Sequence, residues 1–390
     1  MTSGGPKGHE DLCCILKAFH FDPPSRQGAP VVYPWRGLPC GTHLGHIECL
    51  GALWDERGER DGLGIPAWDP CWLERAYSFM TVRVDVLCAG HAAYDVTFLV
   101  DHHPGADEKC SAGGQSMAGG GPAANAAVTA ARLGGTSAFC GYLGRDVFGD
   151  LHFQELVNEG VLTDWIVRGP HPTPLSMILV KPDGKRAVVN FKGETPPLES
   201  SQVDFSAIAP RSILMDGHEP EISLVLVREA RSRGIPTVLD AGSLHSGTER
   251  LAGLVDHLIA SARFAREFTG ERDMRRALRS LRHAAPLAAI TLGEDGLIWS
   301  YGGREESWTA LPVEVVDTTG AGDVFHGAFA LEIARGRAIE SALLTARAAA
   351  ALSCTRLGAR PSIPDRAALQ GLLNSGSGVR GLVRPPAQVG

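Results

Sequence analysis

From residue 80 onward the apolar positions alternate between two rhythms. The run VRVDVLCAG (82–90) is β-branched and closed by a glycine, and predicts a buried strand. DVTFLVD (95–101) predicts a short alternating strand. PAANAAVTAARLG (122–134) has helical spacing, with proline near its start and Gly134-Gly135 at its end, and predicts a helix. TSAFCGY (136–142) predicts the next strand and 146–160 the next helix. Between 175 and 191 the rhythm changes: LSMILV and AVVNF flank the polar turn KPDGKR, the pattern of a hairpin. SILMDG then begins a new βα alternation, with a helix at 220–233 and strands at PTVLDAG and HLIASA. Short helices are expected over RFAREFTG and 272–284, strands over AAITLG and GLIWSYGG, and helices over 322–336 and 338–353. Strands alternating with helices imply a mostly parallel sheet covered on both faces. The elements near 95–118 and 175–191 are too short for crossovers. They predict a small antiparallel lid able to close over a substrate and exclude water.

Residues 1–79 show neither rhythm. They hold five of the nine cysteines and four of the seven tryptophans. Within them, Cys40, His43, His46 and Cys49 have the spacing of structural zinc ligands, yet no strand or helix pattern supports a module around them. They are expected to be a poorly ordered or non-catalytic extension, or else to precede the true start at Met80. The body is expected to span 80–375, followed by a flexible tail at 376–390. The 390-residue chain has 37 basic and 44 acidic side chains and a net charge of −7, with no basic block, which argues against nucleic acid as a partner. No apolar run is long enough for a membrane span, and the first residues lack a signal peptide's apolar stretch. Cysteine is too sparse for a disulfide scaffold, so a cytoplasmic setting is expected.

The densest chemistry lies at 315–329, VVDTTGAGDVFHGAF. A helix start leaves backbone N–H groups unpaired, and glycines let an anion approach them closely. Gly320, Ala321 and Gly322 can therefore steady a phosphoryl group, and Asp323 can accept a proton from a hydroxyl. Taken alone, the same pattern describes a capped helix after a tight turn. Three further stretches add to it. Gly119-Gly-Gly-Pro-Ala-Ala-Asn125 brings Gly120, Gly121 and Asn125 to a helix start. Asp95 lies where α/β sheets bind ligands. Thr291, Gly293 and Gly296 end a strand in a form suited to a nucleotide.

Together these residues resemble the ribokinase, or PfkB, family of sugar and nucleoside kinases, over about 290 residues from near Met80 to near 370. GGGPAANAAVTAARLGG resembles its first signature and DTTGAGDVFHGAFA its second. The resemblance implies an α/β, ribokinase-like three-layer sandwich with a mostly parallel central sheet and a small β lid. It implies Asp323 as catalytic base, Gly320, Ala321 and Gly322 as anion hole, Asp95, Gly120, Gly121 and Asn125 as sugar holders, and Thr291, Gly293 and Gly296 toward ATP. It also implies Mg²⁺ with the nucleotide. A K⁺-type cation is implied near Asp317, Thr319, Ser353, Arg356, Gly358 and Ser362, and a homodimer through the lid. One departure concerns the metal: where the family carries N-x-x-E, this chain has Ser261 and Phe264, with Glu267 one turn on.

Within the family the wording is most similar to the sulfofructose kinase-like branch, which Lys109 and Asn190 match, whereas His218 stands where that branch has arginine. Ketoses, keto-sugar acids and sulfosugars all remain open as substrates. A nucleoside kinase, with Phe98 and Phe191 cradling a base, is an alternative, as is a sugar sensor with impaired catalysis. The chain lacks GxxxxGK[ST], and lacks G-x-G-x-x-G after its first strand, which disfavours a P-loop kinase and a dinucleotide-binding dehydrogenase.

Overall fold

The computed structural model describes residues 81–374. The expected extension with its Cys40–Cys49 spacing, and the expected tail, lie outside the described residues. In chain order the elements begin with β1 (Val82–Ala89), β2 (Ala93–Leu99), β3 (Gly114–Gly120), α1 (Pro122–Arg132), β4 (Ser137–Gly144), α2 (Val147–Asn158), β5 (Leu162–Gly169), β6 (Leu175–Val180) and β7 (Arg186–Phe191). They continue with β8 (Ile208–Met215), α3 (Pro220–Arg233), β9 (Thr237–Ala241), α4 (Ser246–Leu251), β10 (His257–Ser261), α5 (Ala262–Thr269), α6 (Met274–Leu281) and β11 (Leu287–Thr291). The last are β12 (Leu297–Tyr301), β13 (Arg304–Trp308), α7 (Ala321–Ala334), α8 (Ile339–Ser353), α9 (Ala359–Ser362) and α10 (Arg366–Asn374).

Nine strands form the main sheet in the order β13-β12-β11-β10-β9-β8-β1-β4-β5. All neighbours from β11 to β5 are parallel, and β12 and β13 are antiparallel additions. Each side of the sheet carries its own core. Val86 and Cys88 of β1 pack with α1, α7 and α8, while Leu87 and Ala89 pack with α3, α5 and α6. A strand buried on both faces has no polar face to show, which is why β1, β4 and β8 read as continuous apolar runs. Two strands gave no such signal. β5 (LTDWIVRG) and β13 (REESW) are the edges of the sheet. Partial solvation lets an edge strand keep charged residues.

The second sheet, β3-β2-β6-β7, is the expected lid, with one correction: its two hairpins are antiparallel, but they join through β2 and β6, which run parallel. Its register places Ala118, Asp95, Ser176 and Asn190 side by side, hence on one face. The next row, Met117, Val96, Met177 and Val189, takes the opposite face. The chain crosses from main sheet to lid through Gly90-His91-Ala92, at the C-terminal end of β1. Among the described residues no helix is long and apolar enough to cross a membrane.

Candidate active site

Two helices of small residues set the site. Ala123, Ala124, Ala126, Ala127 and Ala130 of α1 are fully buried. A Cβ at Gly327 of α7 would lie 2.5 Å from the Ala126 carbonyl oxygen, so glycine is what lets α7 settle onto α1. Asp323 sits one turn before Gly327, and Asn125 is next to Ala126. The close approach therefore brings the two together, and Asn125 Nδ2 donates to Asp323 Oδ2 at 2.7 Å. Gly320 caps α7 in the left-handed region at φ 76°, where a side chain would also crowd Ala359. The N–H groups of Gly320 and Gly322 have no partner among the described residues, and that of Ala321 points to the Thr318 carbonyl at 3.3 Å. Gly322 is exposed, with open space where a side chain would stand.

Asp95 shares this region. Gly120 lies so close that a Cβ there would overlap the Asp95 carboxylate. Burial pushes the Asp95 carboxyl up to about 7; Ser176 donates to it and Arg360 attracts it, while Asp323 and Glu155 repel it. Asp323 is likewise pushed up to about 7, first by burial and then by Asp240, against the pull of Asn125, His326 and Arg186. Asp240, at the end of β9, is buried and raised for the same first reason. Its neighbour His326 has Nδ1 2.6 Å from the Gly322 carbonyl oxygen and 3.3 Å from Asp240 Oδ2. Three carboxylates thus converge on the C-terminal ends of the strands, where such sheets bind ligands. A separate cavity of about 420 Å³, lined by Ile235, Thr237, Asp256 and His257 among others, sits at the N-terminal strand ends instead.

The other expected residues divide. Gly121 is the N-cap of α1, at φ 93°. Asn190 shares the Asp95 face of the lid and is exposed. Lys109 is exposed in the loop between β2 and β3 and makes no hydrogen bond or ion pair among the described residues. Thr291 ends β11 and donates to the Ala260 carbonyl, and Gly293 turns the chain in open space. Gly296 has a packing role, since a Cβ there would overlap the Trp308 carbonyl. Phe98 and Phe191 fall on the face of the lid opposite Asp95, which deprives a nucleoside of that aromatic cradle. Ser261 caps α5 and Phe264 is core; Glu267 pairs with Arg263. No group of three or more His, Cys, Asp or Glu among the described residues is arranged to hold a metal ion.

Around the cation position, Asp317 is 1% exposed and forms no ion pair among the described residues. Its carboxylate accepts from Thr319 N, Thr319 Oγ1 and Gly358 N. A buried carboxylate with only neutral donors fits a monovalent cation close by. Ser353 and Ser362 turn their hydroxyls to carbonyls of their own helices, and Arg356 is exposed.

Several polar residues besides His218 escaped the sequence reading. Asp216 accepts from the N–H groups of His91, His218 and Ala123, joining the ends of β1 and β8 to α1. His91, His218 and His245 lie on three adjacent strand ends with ring centroids 5.0 and 4.5 Å apart. Arg186 of the lid donates to Thr318 Oγ1 at 2.8 Å. An aspartate ending an apolar strand would have flagged Asp216 and Asp240.

Known proteins share this fold. Residues 84–366 match the family described as pfkB family carbohydrate kinase. A ribokinase of Bacillus subtilis is 29% identical over 294 residues, covering 74% of this chain and 99% of that protein. The crystal structure of ribokinase from Thermotoga maritima superposes with a TM-score of 0.65 at 26% identity, over 75% of this chain and 99% of that one. A ribokinase of Arabidopsis thaliana complexed with ribose and ATP gives 0.63 at 25% identity, over the same 75% and 99%.

Proposed function

The chain belongs to the pfkB family of carbohydrate kinases, and from that membership we propose that it transfers the γ-phosphoryl group of ATP to a hydroxyl of a small sugar or sugar acid, with Asp323 as the base. The observation that carries this reading is the Asn125–Asp323 bond. It holds one carboxylate oxygen and leaves the other for a substrate, at a helix start whose N–H groups at Gly320 and Gly322 have no partner among the described residues. Asp95 accepts from two sugar hydroxyls. Asp323 takes the proton of a third, whose oxygen bonds to phosphorus as the bond to ADP breaks. Mg²⁺ bound with the nucleotide would offset the charge of its phosphates. K⁺ beside Asp317 would offset that buried charge and keep the loop before α7 in shape. Ketoses, keto-sugar acids and sulfosugars are the class we favour, because His91, His218 and His245 line the strand ends beside Asp216, where polar or acidic substituents find donors.

ADP release with ribose, fructose, ketodeoxygluconate, fructose phosphates, sulfofructose and adenosine tests this reading. We expect turnover of a sugar or sugar acid, and none of adenosine. With the best substrate, kcat/KM should rise with pH through about 7 and then level off, because Asp95 and Asp323 must both be ionised and each is pushed up to about 7. ATP turnover with adenosine alone, or a pH profile flat between 5 and 8, would refute it.

A second copy of this chain is the partner we expect on the lid. Met117, Met177, Val189 and Phe191 are exposed together on the face opposite Asp95. Sedimentation should give a dimer at micromolar concentration, and Val189→Asp a monomer. A monomeric parent would overturn this.

A further inference from the structure

Arg360 is 1% exposed, yet its side chain reaches the site through a short chain of contacts. Nε donates to Asn125 Oδ1 at 3.0 Å, and Asn125 Nδ2 donates to Asp323 Oδ2 at 2.7 Å. Nη2 lies 3.3 Å from His152 Nε2, and Nη1 lies 3.6 Å from Glu155 Oε1. A guanidinium has five donors and no acceptor. The Asn125 atom beside it must therefore be oxygen, and the NH₂ group must face Asp323. The amide has no second orientation while Arg360 is in place. The backbone of α9 is anchored separately: Arg132 Nη1 donates to the carbonyls of Arg360 and Ile363. The side chain of Arg360 is thus not what ties α9 down.

We propose that Arg360 is a positioning residue for phosphoryl transfer, locking the Asn125 amide so that it presents a donor to Asp323. A donor aimed at Asp323 favours the ionised form that a base needs and fixes which oxygen is left for the substrate. Arg360 also attracts the sugar-holding Asp95 carboxylate, which favours its ionised form. The groups that face or act on Arg360 are Asn125 and Arg132 of α1, His152 and Glu155 of α2, Glu159 at the C-cap of α2, and Asp95 of β2. Those facing Asp323 are Asp95, Asp240, His326 and Arg186.

This rests on Asp323 being the base, and four variants separate the two ideas. Arg360→Met should lower kcat roughly tenfold to hundredfold, since small misplacements of a reacting group cost that much. It should also move the acid limb of kcat/KM up by about one pH unit as the nearby cation is lost. Arg360→Lys should keep the limb near its parent position but not restore kcat, because charge returns without the fork that orients Asn125. Arg360→Met with Glu155→Gln removes both partners of the ion pair, so a folded protein lacking Arg360 is at hand if the single change unfolds. Asn125→Ser leaves Arg360 in place and cuts the link, and should lower kcat as Arg360→Met does. Parental kcat and pH profile in the Met variants, with only thermal stability changed, would overturn the proposal. So would parental kcat in Asn125→Ser. Either result alongside an inactive Asp323→Asn would leave the base assignment standing.

Discussion

Asp323→Asn is expected to lower kcat by roughly 10²–10⁴-fold, the range that a positioned general base contributes, while the protein stays folded. The asparagine is nearly the same shape, and its carbonyl oxygen can still accept from Asn125 Nδ2. The charge it removes is one of three: Asp95 and Asp240 both repel Asp323 in the native protein. Thermal stability should therefore hold or rise, because repulsion and desolvation are relieved together. Sugar affinity should survive, since Asp95 is untouched. Steady-state kinetics, sugar binding by calorimetry and a thermal melt read the three quantities separately. Turnover within tenfold of the parent would remove Asp323 as base.

Asp95→Asn should act on binding instead. A carboxylate accepting from two hydroxyls makes charge-assisted bonds, and its loss should weaken sugar binding by about 2–4 kcal/mol, or roughly 30- to 1000-fold in KM. Saturated kcat should change far less, because the base and the helix start are intact. The isosteric amide still fits against Gly120 and can still accept from Ser176. If KM were unchanged and kcat fell instead, Asp95 would belong to the chemistry rather than to substrate holding.

How far these residues were visible in advance differs from one to the next. Asp323 was legible because glycine, acid and helix start are adjacent in sequence, and local backbone chemistry is enough to interpret them. Asp95 needed only the rule that ligands gather at C-terminal strand ends. Gly296 reads like a nucleotide loop, yet its need for glycine comes from the Trp308 carbonyl, which belongs to another strand. Phe98 and Phe191 looked available for a base until the register of the lid sheet set them on the wrong face. Register depends on pairing between strands, and a shift of one residue reverses every side chain.

Arg360 is the clearest case of what a linear reading misses. In GARPS it resembles any surface arginine, because nothing within a few residues signals burial. Only the fold brings α9 beside α1 and α2 and places its guanidinium between Asn125, His152 and Glu155. By itself the amino-acid order determined the βα alternation, the lid and the glycine-flanked acid, since each arises from periodicity or from backbone freedom within one short stretch. Tertiary packing decided which carboxylates share the site, how strongly each holds its proton and which amide faces the base. Those are properties of groups far apart in the chain, as with Asn125, which lies 198 residues from Asp323 and 235 from Arg360, and electrostatic coupling depends on distance in space.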